Sequence, residues 1–258
     1  MVFVNRKVIC VDSKKTYGDL NINGERNVNV FKKVLLASVA TAAVAAVSAP
    51  AMAEEGLMGG ELSANVAFVS DYRFRGVSFS GEDFAIQGGL DWGHESGFYI
   101  GTWGSSQSSS DAEIDVYAGF SGEAEGVSYD VGVIGYLFDG TLNPNGTGDI
   151  VEVYASVGAD LGVAAATAGV YYGLDALDNT NDYFYPYLDV SVPLGEDVPV
   201  SLDGHVGITT GNGGDVIDWS IGVSTSYAGL DFSLAYVDTD AAGTLTDATA
   251  VFSVGASF

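Results

Sequence analysis

From residue 54 onward the sequence holds two basic side chains, Arg73 and Arg75. Facing them are 31 acidic ones, the chain's 34 less Asp12, Asp19 and Glu25. The chemistry this suggests is ion selection. Asp71, Glu113, Asp115, Asp130, Glu152, Asp160, Asp189, Asp203, Asp218 and Asp231 fall on the polar side of alternating segments, interspersed with Ser, Gly, Thr and Tyr. Carboxylates around a water-filled bore of lowered effective dielectric concentrate cations and repel anions. The residues predicted to line such a bore are Asp71, Arg73, Arg75, Glu113, Asp115, Tyr117, Asp130, Glu152, Tyr154, Tyr183, Tyr185, Tyr187, Asp189, Asp203, His205 and Asp218. A plainer reading assigns individual carboxylates to solubility and to divalent ions at a lipopolysaccharide surface. For Tyr183, Tyr185 and Tyr187, on one row, the sharper alternative is a stack for a sugar ring.

Arg73 and Arg75 alternate with Tyr72, Phe74 and Gly76 at the outer end of the first predicted strand, so both are expected to point to one side. They could form a positive spot in an acidic mouth that orients carboxylate-bearing or zwitterionic solutes. The favoured expectation is structural: an internal ion pair, for example with Asp71 or Asp115, that stiffens the wall. The scarcity of arginine rules out the facing acidic and basic ladders of general porins.

His94 and His205 are the histidines. An outer-leaflet lipid hydrolase needs Ser, His and a polar orienter held together. His94 falls in the predicted turn His94-Glu95-Ser96-Gly97, away from that leaflet, and His205 falls mid-strand with no nucleophile signature beside it. No enzyme activity is expected. Without a His/Cys cluster there is no zinc signature, and the Asp/Asn/Gly-rich loops 139–149, 210–218 and 238–247 lack full calcium-loop spacing. No metal or other cofactor is expected.

These residues need elements to hold them, and the composition narrows the choice. The formal net charge of −25 joins two unlike parts. Seven of the nine basic residues precede residue 54, leaving the remainder at −29. That remainder has no footprint for nucleic acid, which requires clustered Lys/Arg. With 47% hydrophobic and 12% aromatic residues it is not a disordered composition. Residues 29–53 read as a cleavable signal peptide: Lys32 and Lys33, an apolar run from Val34 to about Val47, then Ala51-Met52-Ala53. Residues 1–28 are expected to be an unstructured extension or a start-site artefact, and 54–258 a single barrel domain. The one cysteine, Cys10, lies in the leader, so export without disulfides is expected.

From residue 54 onward the dominant period is two. Leu62-Ala64-Val66-Phe68, Ile114-Val116-Ala118-Phe120 and Trp219-Ile221-Val223 each alternate with small or polar residues. One apolar face over segments of ~10 residues with turns between them is the transmembrane-barrel pattern. Twelve strands are predicted, near 61–72, 83–93, 97–105, 112–121, 127–138, 150–160, 163–175, 182–192, 199–209, 217–227, 230–237 and 248–258. Long connections alternate with short ones, as in an up-and-down barrel with both termini at one end. The last strand ends on Phe258 with apolar or small residues at alternate positions back to Ala250, a pattern suited to the barrel-insertion machinery of Gram-negative bacteria. Tyr72, Phe74, Trp92, Phe98, Phe120, Tyr136, Phe138, Phe184, Trp219, Tyr227 and Phe258 are expected at membrane interfaces.

The run Phe68-Val69-Ser70-Asp71-Tyr72-Arg73-Phe74-Arg75-Gly76-Val77-Ser78 adds a resemblance, together with His94-Glu95-Ser96-Gly97-Phe98-Tyr99-Ile100-Gly101-Thr102-Trp103-Gly104-Ser105 and Glu113-Ile114-Asp115-Val116-Tyr117-Ala118-Gly119-Phe120. These segments resemble the TorF family of porin-like exported proteins of proteobacteria, most closely over residues 64–136. The resemblance implies an outer-membrane barrel with a pore role and brings no catalytic or ligand residues. The reading is therefore an all-β, antiparallel, up-and-down transmembrane barrel of about twelve strands in the bacterial outer membrane. It would pass small solutes by diffusion, favouring cations or neutral and zwitterionic molecules, among outer-membrane lipid and lipopolysaccharide. The competing class is a non-conducting barrel with a structural or surface-binding role; an outer-leaflet lipid hydrolase is a distant third.

Overall fold

A computed structural model describes residues 57–108, 112–138, 150–174, 182–195, 198–211 and 214–258. Residues 1–28 and 29–53, expected to be an extension and a signal peptide, lie outside the described residues. After a 3-10 turn at Leu57–Gly59, the strands are β1 (Gly60–Val69), β2 (Arg73–Phe74), β3 (Val77–Ser78), β4 (Ala85–His94), β5 (Phe98–Ser106), β6 (Ala112–Ala124) and β7 (Val127–Phe138). They continue as β8 (Ile150–Asp160), β9 (Ala165–Gly173), β10 (Tyr183–Pro193), β11 (Val200–Gly211), β12 (Val216–Tyr227), β13 (Leu230–Thr239) and β14 (Thr249–Ser257). β1 and β4 through β14 form a closed ring of twelve antiparallel strands, each next to its sequence neighbour. No helix among the described residues is long and apolar enough to cross a membrane. Crossing falls to the strands.

The alternation in the sequence becomes two faces. Leu62, Val66, Ile86, Leu90, Ile114, Val116, Val153, Leu188, Leu202, Ile221, Val223, Leu234 and Phe252 are all exposed on the outside. Leaving each of these in water rather than in an apolar medium costs about 1.5–3 kcal/mol. A contiguous belt of them is therefore a lipid-facing surface. Closure removes the unpaired edge that would otherwise be exposed in lipid.

The ring closes where β1 meets β14, through five paired positions from Asn65↔Ser257 to Val69↔Ser253. Ala64 and Phe258 exchange two further backbone bonds at one end of this seam, and Ser70 N–H donates to the Phe252 carbonyl at the other. Two-residue turns at Glu125-Gly126 and Ala228-Gly229, all four residues at positive φ, supply the twist that tight hairpins need. The ends of the twelve barrel strands lie within a few residues of those expected from sequence.

The first segment departs from expectation. β1 stops at Val69, and residues 70–84 turn back into the barrel as a small hairpin, with Arg73↔Ser78 and Phe74↔Val77 paired. Its tip, Arg75-Gly76, has φ of 48° and 81°, close to those of the two turns above. Because the chain turns there, Arg73 and Arg75 do not share one side, contrary to the alternation argument. Tyr72, only 3% exposed, and Phe74, half-buried, are not interfacial residues. Tyr136 is likewise buried on the inner face, because it shares the parity of Asp130 and Ile134. Asp160 caps the β8–β9 turn in solvent, accepting the Gly162 N–H at 2.7 Å, and lines nothing.

Candidate functional site

The inner face divides into two walls. From β5 to β10 it is built from large polar side chains that reach one another over intervening strands. Tyr99 donates to Asp130 at 2.6 Å and shares a short hydrogen bond with Tyr154. Tyr117 donates to Asp91 at 2.5 Å. Tyr99, Tyr117, Ile134, Tyr136, Tyr154, Tyr171 and Tyr185 form one buried cluster. Several inner tyrosines come close to a glycine of the neighbouring strand: Tyr99 to Gly119, Tyr154 to Gly132, Tyr187 to Gly169 and Tyr185 to Gly207. A Cβ at any of the four would run into the ring, so these glycines provide close approach for the aromatics.

From β11 round to β1 the inner face is made of short side chains. Ser191 and Ser224 donate to opposite oxygens of Asp203 at 2.7 and 2.6 Å. Ser226 donates to Asp231 at 2.5 Å, and Ser233 and Ser253 share a bond at 2.6 Å. At the border between the walls His205 lies between Asp189 (2.6 Å) and Asp218 (3.1 Å), with the Tyr185 hydroxyl 2.9 Å from Nε2.

The hairpin 70–84 crosses the bore from β1 to the tyrosine wall. Its base is fixed by Asp71, which accepts from Arg73 Nε (2.6 Å), Ser78 Oγ (2.6 Å) and Ser80 Oγ (3.0 Å). Arg73 Nη1 also donates to the carbonyls of Gly76, Leu245 and Asp247 at 3.0–3.2 Å. Tyr72 donates to Glu113 at 3.0 Å and packs edge-on against Trp103. Burial first, then the carboxylates of Glu113 and Asp115, raise the Tyr72 phenol well above its ordinary pKa, so it stays a donor.

At the tip, Arg75 reaches the strands that stand opposite β1 in the ring, β8 to β10. Its Nη2 donates to Glu152 Oε1 at 2.7 Å, and Glu152 is fully buried. The guanidinium carbon lies 3.9 Å from the Tyr185 ring centre, 5.5 Å from Tyr183, 5.7 Å from Tyr171 and 4.8 Å from Phe74 of its own hairpin. Burial works against the charge, yet the adjacent Glu152 carboxylate outweighs it and holds the pKa above that of ordinary arginine. The Tyr136 and Tyr183 hydroxyls complete the Glu152 shell at 2.8 and 2.6 Å.

All sixteen residues predicted to line a bore lie on the inner face or in this hairpin. Asp71 and Arg73 pair with each other, as the structural expectation had it, whereas Arg75 finds neither Asp71 nor Asp115 but Glu152. Asp115 is 1% exposed, and neither of its oxygens accepts a hydrogen bond among the described residues. Tyr183, Tyr185 and Tyr187 do form one row, with Tyr171 against it. The sequence reading omitted Asp91, Tyr99 and Tyr171, although each alternates with an outward apolar residue and parity alone could have found them. His94 lies at the β4–β5 turn, its ring 2.8 Å from Ser96 Oγ. No group of three or more His, Cys, Asp or Glu among the described residues is arranged to hold a metal ion.

Residues 53–258 match the sequence profile of a family described as bacterial protein of unknown function, Gcw_chp. The chain belongs to the Gcw_chp family. No curated protein matches this Gcw_chp chain by sequence. Among solved structures, it is similar to the KdgM porin, with 7% identity and a TM-score of 0.55 over 76% of this chain and 98% of that one. It is also similar to the NanC porin, with 10% identity and a TM-score of 0.51 over 76% and 98%. At these identities the likeness is one of fold. The Gcw_chp barrel shares the architecture of outer-membrane porins.

Proposed function

We propose that this protein is an outer-membrane, porin-like channel for passive diffusion of small solutes, favouring cations or small neutral and zwitterionic molecules. The observation that carries the proposal is the wall from β11 to β1. Beneath an apolar outer belt its inner side chains are mostly Ser, Gly, Ala, Thr, Val and Asp, with His205 at its border, and most are too short to reach across the bore from that side. A twelve-stranded ring lies between eight-stranded barrels filled by side chains and sixteen-stranded aqueous porins. Asp203 and Asp231 along this wall, with Asp189 of β10 at its border, make the path acidic, which underlies the expected cation preference. The resemblance to TorF porins, and the description of both solved neighbours as porins, agree with this reading. In the same proposal the long loops face outward toward lipopolysaccharide, and the insertion machinery reads the strand ending at Phe258.

A specific observation favours the second reading, a non-conducting barrel: the hairpin spans the bore and is held at both ends. Planar-bilayer recording across a salt gradient separates the two. Discrete conductance steps with a cation-selective reversal potential are expected. A silent membrane with correctly folded protein would establish the second reading instead.

A further inference from the structure

We propose that Glu152, Tyr171, Tyr183 and Tyr185 form a binding site for organic cations bearing a guanidinium or primary ammonium group, with Arg75 as its tethered occupant. The site belongs to the wall. Glu152 comes from β8, Tyr171 from β9, and Tyr183 and Tyr185 from β10, all strands of the barrel ring rather than of the hairpin. The Tyr136 and Tyr183 hydroxyls orient the carboxylate. Tyr154, Tyr171 and Tyr185 pack in succession, with ring centres 5.4 and 6.3 Å apart. A cation placed over a desolvated aromatic face and beside a carboxylate is attracted by both.

The occupant comes from elsewhere: Arg75 is brought in on a turn from β1, at the opposite point of the ring. Its planar head shows what the site accepts, with one ring face at 3.9 Å and one carboxylate oxygen at 2.7 Å. An anion would meet Glu152 and the negative faces of the rings, so carboxylate and phosphate solutes are excluded. A tethered group competes at an effective concentration on the order of millimolar. A free cation therefore takes the site when it is abundant, or when Arg75 is removed. Should the barrel conduct, exchange of the occupant would free the hairpin tip from the far wall; only this consequence rests on the channel reading.

The test uses the refolded full-length barrel in detergent and methylguanidinium chloride as probe, read by saturation-transfer NMR on the probe's methyl signal. Arg75→Gly is the first variant, because φ of 48° suits glycine; Arg75→Ala is the second if the first does not refold. The expected result is saturable transfer in the Arg75 variant, with an apparent affinity roughly tenfold or more above wild type. Transfer should vanish in Arg75→Gly/Glu152→Gln and with N-methylurea, the neutral isostere. Absent transfer in a folded Arg75 variant overturns the site, as does transfer that survives Glu152→Gln. Binding is read without current, so a silent bilayer would overturn the channel and leave the site standing.

Discussion

On the tyrosine wall, Tyr99 on β5 bonds Tyr154 on β8, passing over two strands. On the serine wall, Ser233 on β13 bonds Ser253 on the adjacent β14. Both walls are polar and both satisfy most of their hydrogen bonds. What separates them is reach. Side chains long enough to meet over intervening strands turn a polar inner face into a packed core, whereas short ones leave it a lining. Stability should therefore reside in one wall and permeation along the other.

Replacing Glu152 by Ala should break the packed wall most severely. It strands the Arg75 guanidinium and removes the acceptor of two tyrosine hydroxyls, and losing one member of a buried pair costs roughly 3–5 kcal/mol. Urea unfolding in lipid vesicles, followed by tryptophan fluorescence, checks this. Gly132→Val comes next, since the added side chain collides with the Tyr154 ring; overpacking of this kind costs about 1–3 kcal/mol. An unchanged midpoint would show that the tyrosines are lining rather than core. Ser78→Ala removes one bond to Asp71 and one from the Glu82 N–H. A loss of about 1 kcal/mol is expected, with more frequent opening of the hairpin seen as faster amide exchange at Ser78 and Phe79.

The smallest change in stability is expected on the serine wall. Ser220→Trp, pointing inward beside His205 in the ladder, should shift the unfolding free energy by no more than about 0.5 kcal/mol. Single-channel conductance should nevertheless fall by roughly half or more, because the added ring lies in the proposed path between the 8- and 16-stranded size limits. A conductance unaffected by Trp at this position would move permeation away from this wall.

The strands were legible because period two with one apolar face leaves little choice once lipid is the outer solvent. Asp130, Glu152 and Asp218 could be placed inward by parity alone, and so could Tyr136, which was misassigned because its position near a strand end outweighed its parity with Asp130. The hairpin was not legible. Ser70 to Phe74 continue the alternation of β1, and Arg75-Gly76 carries no stronger turn signal than many x-Gly pairs in the chain. Its inward fold depends on partners distant in sequence, Glu113, Glu152 and Leu245, that no local pattern reveals. Nor could spacing show that the second arginine would pass over the acids nearest to it and pair with one on the opposite strand.

The seam between β1 and β14 gives the hairpin a place in time as well as in space. Arg73 donates to the carbonyls of Leu245 and Asp247, and Ser78 N–H to Leu245, all in the segment leading into β14. Ser70 bonds Phe252 within that last strand. Without the final strand in place, Arg73 would keep only Asp71 and Gly76 of its own hairpin as acceptors. The hairpin therefore acts as a clasp across the closing seam: part of what seats Arg73 is supplied only where the first and last strands meet.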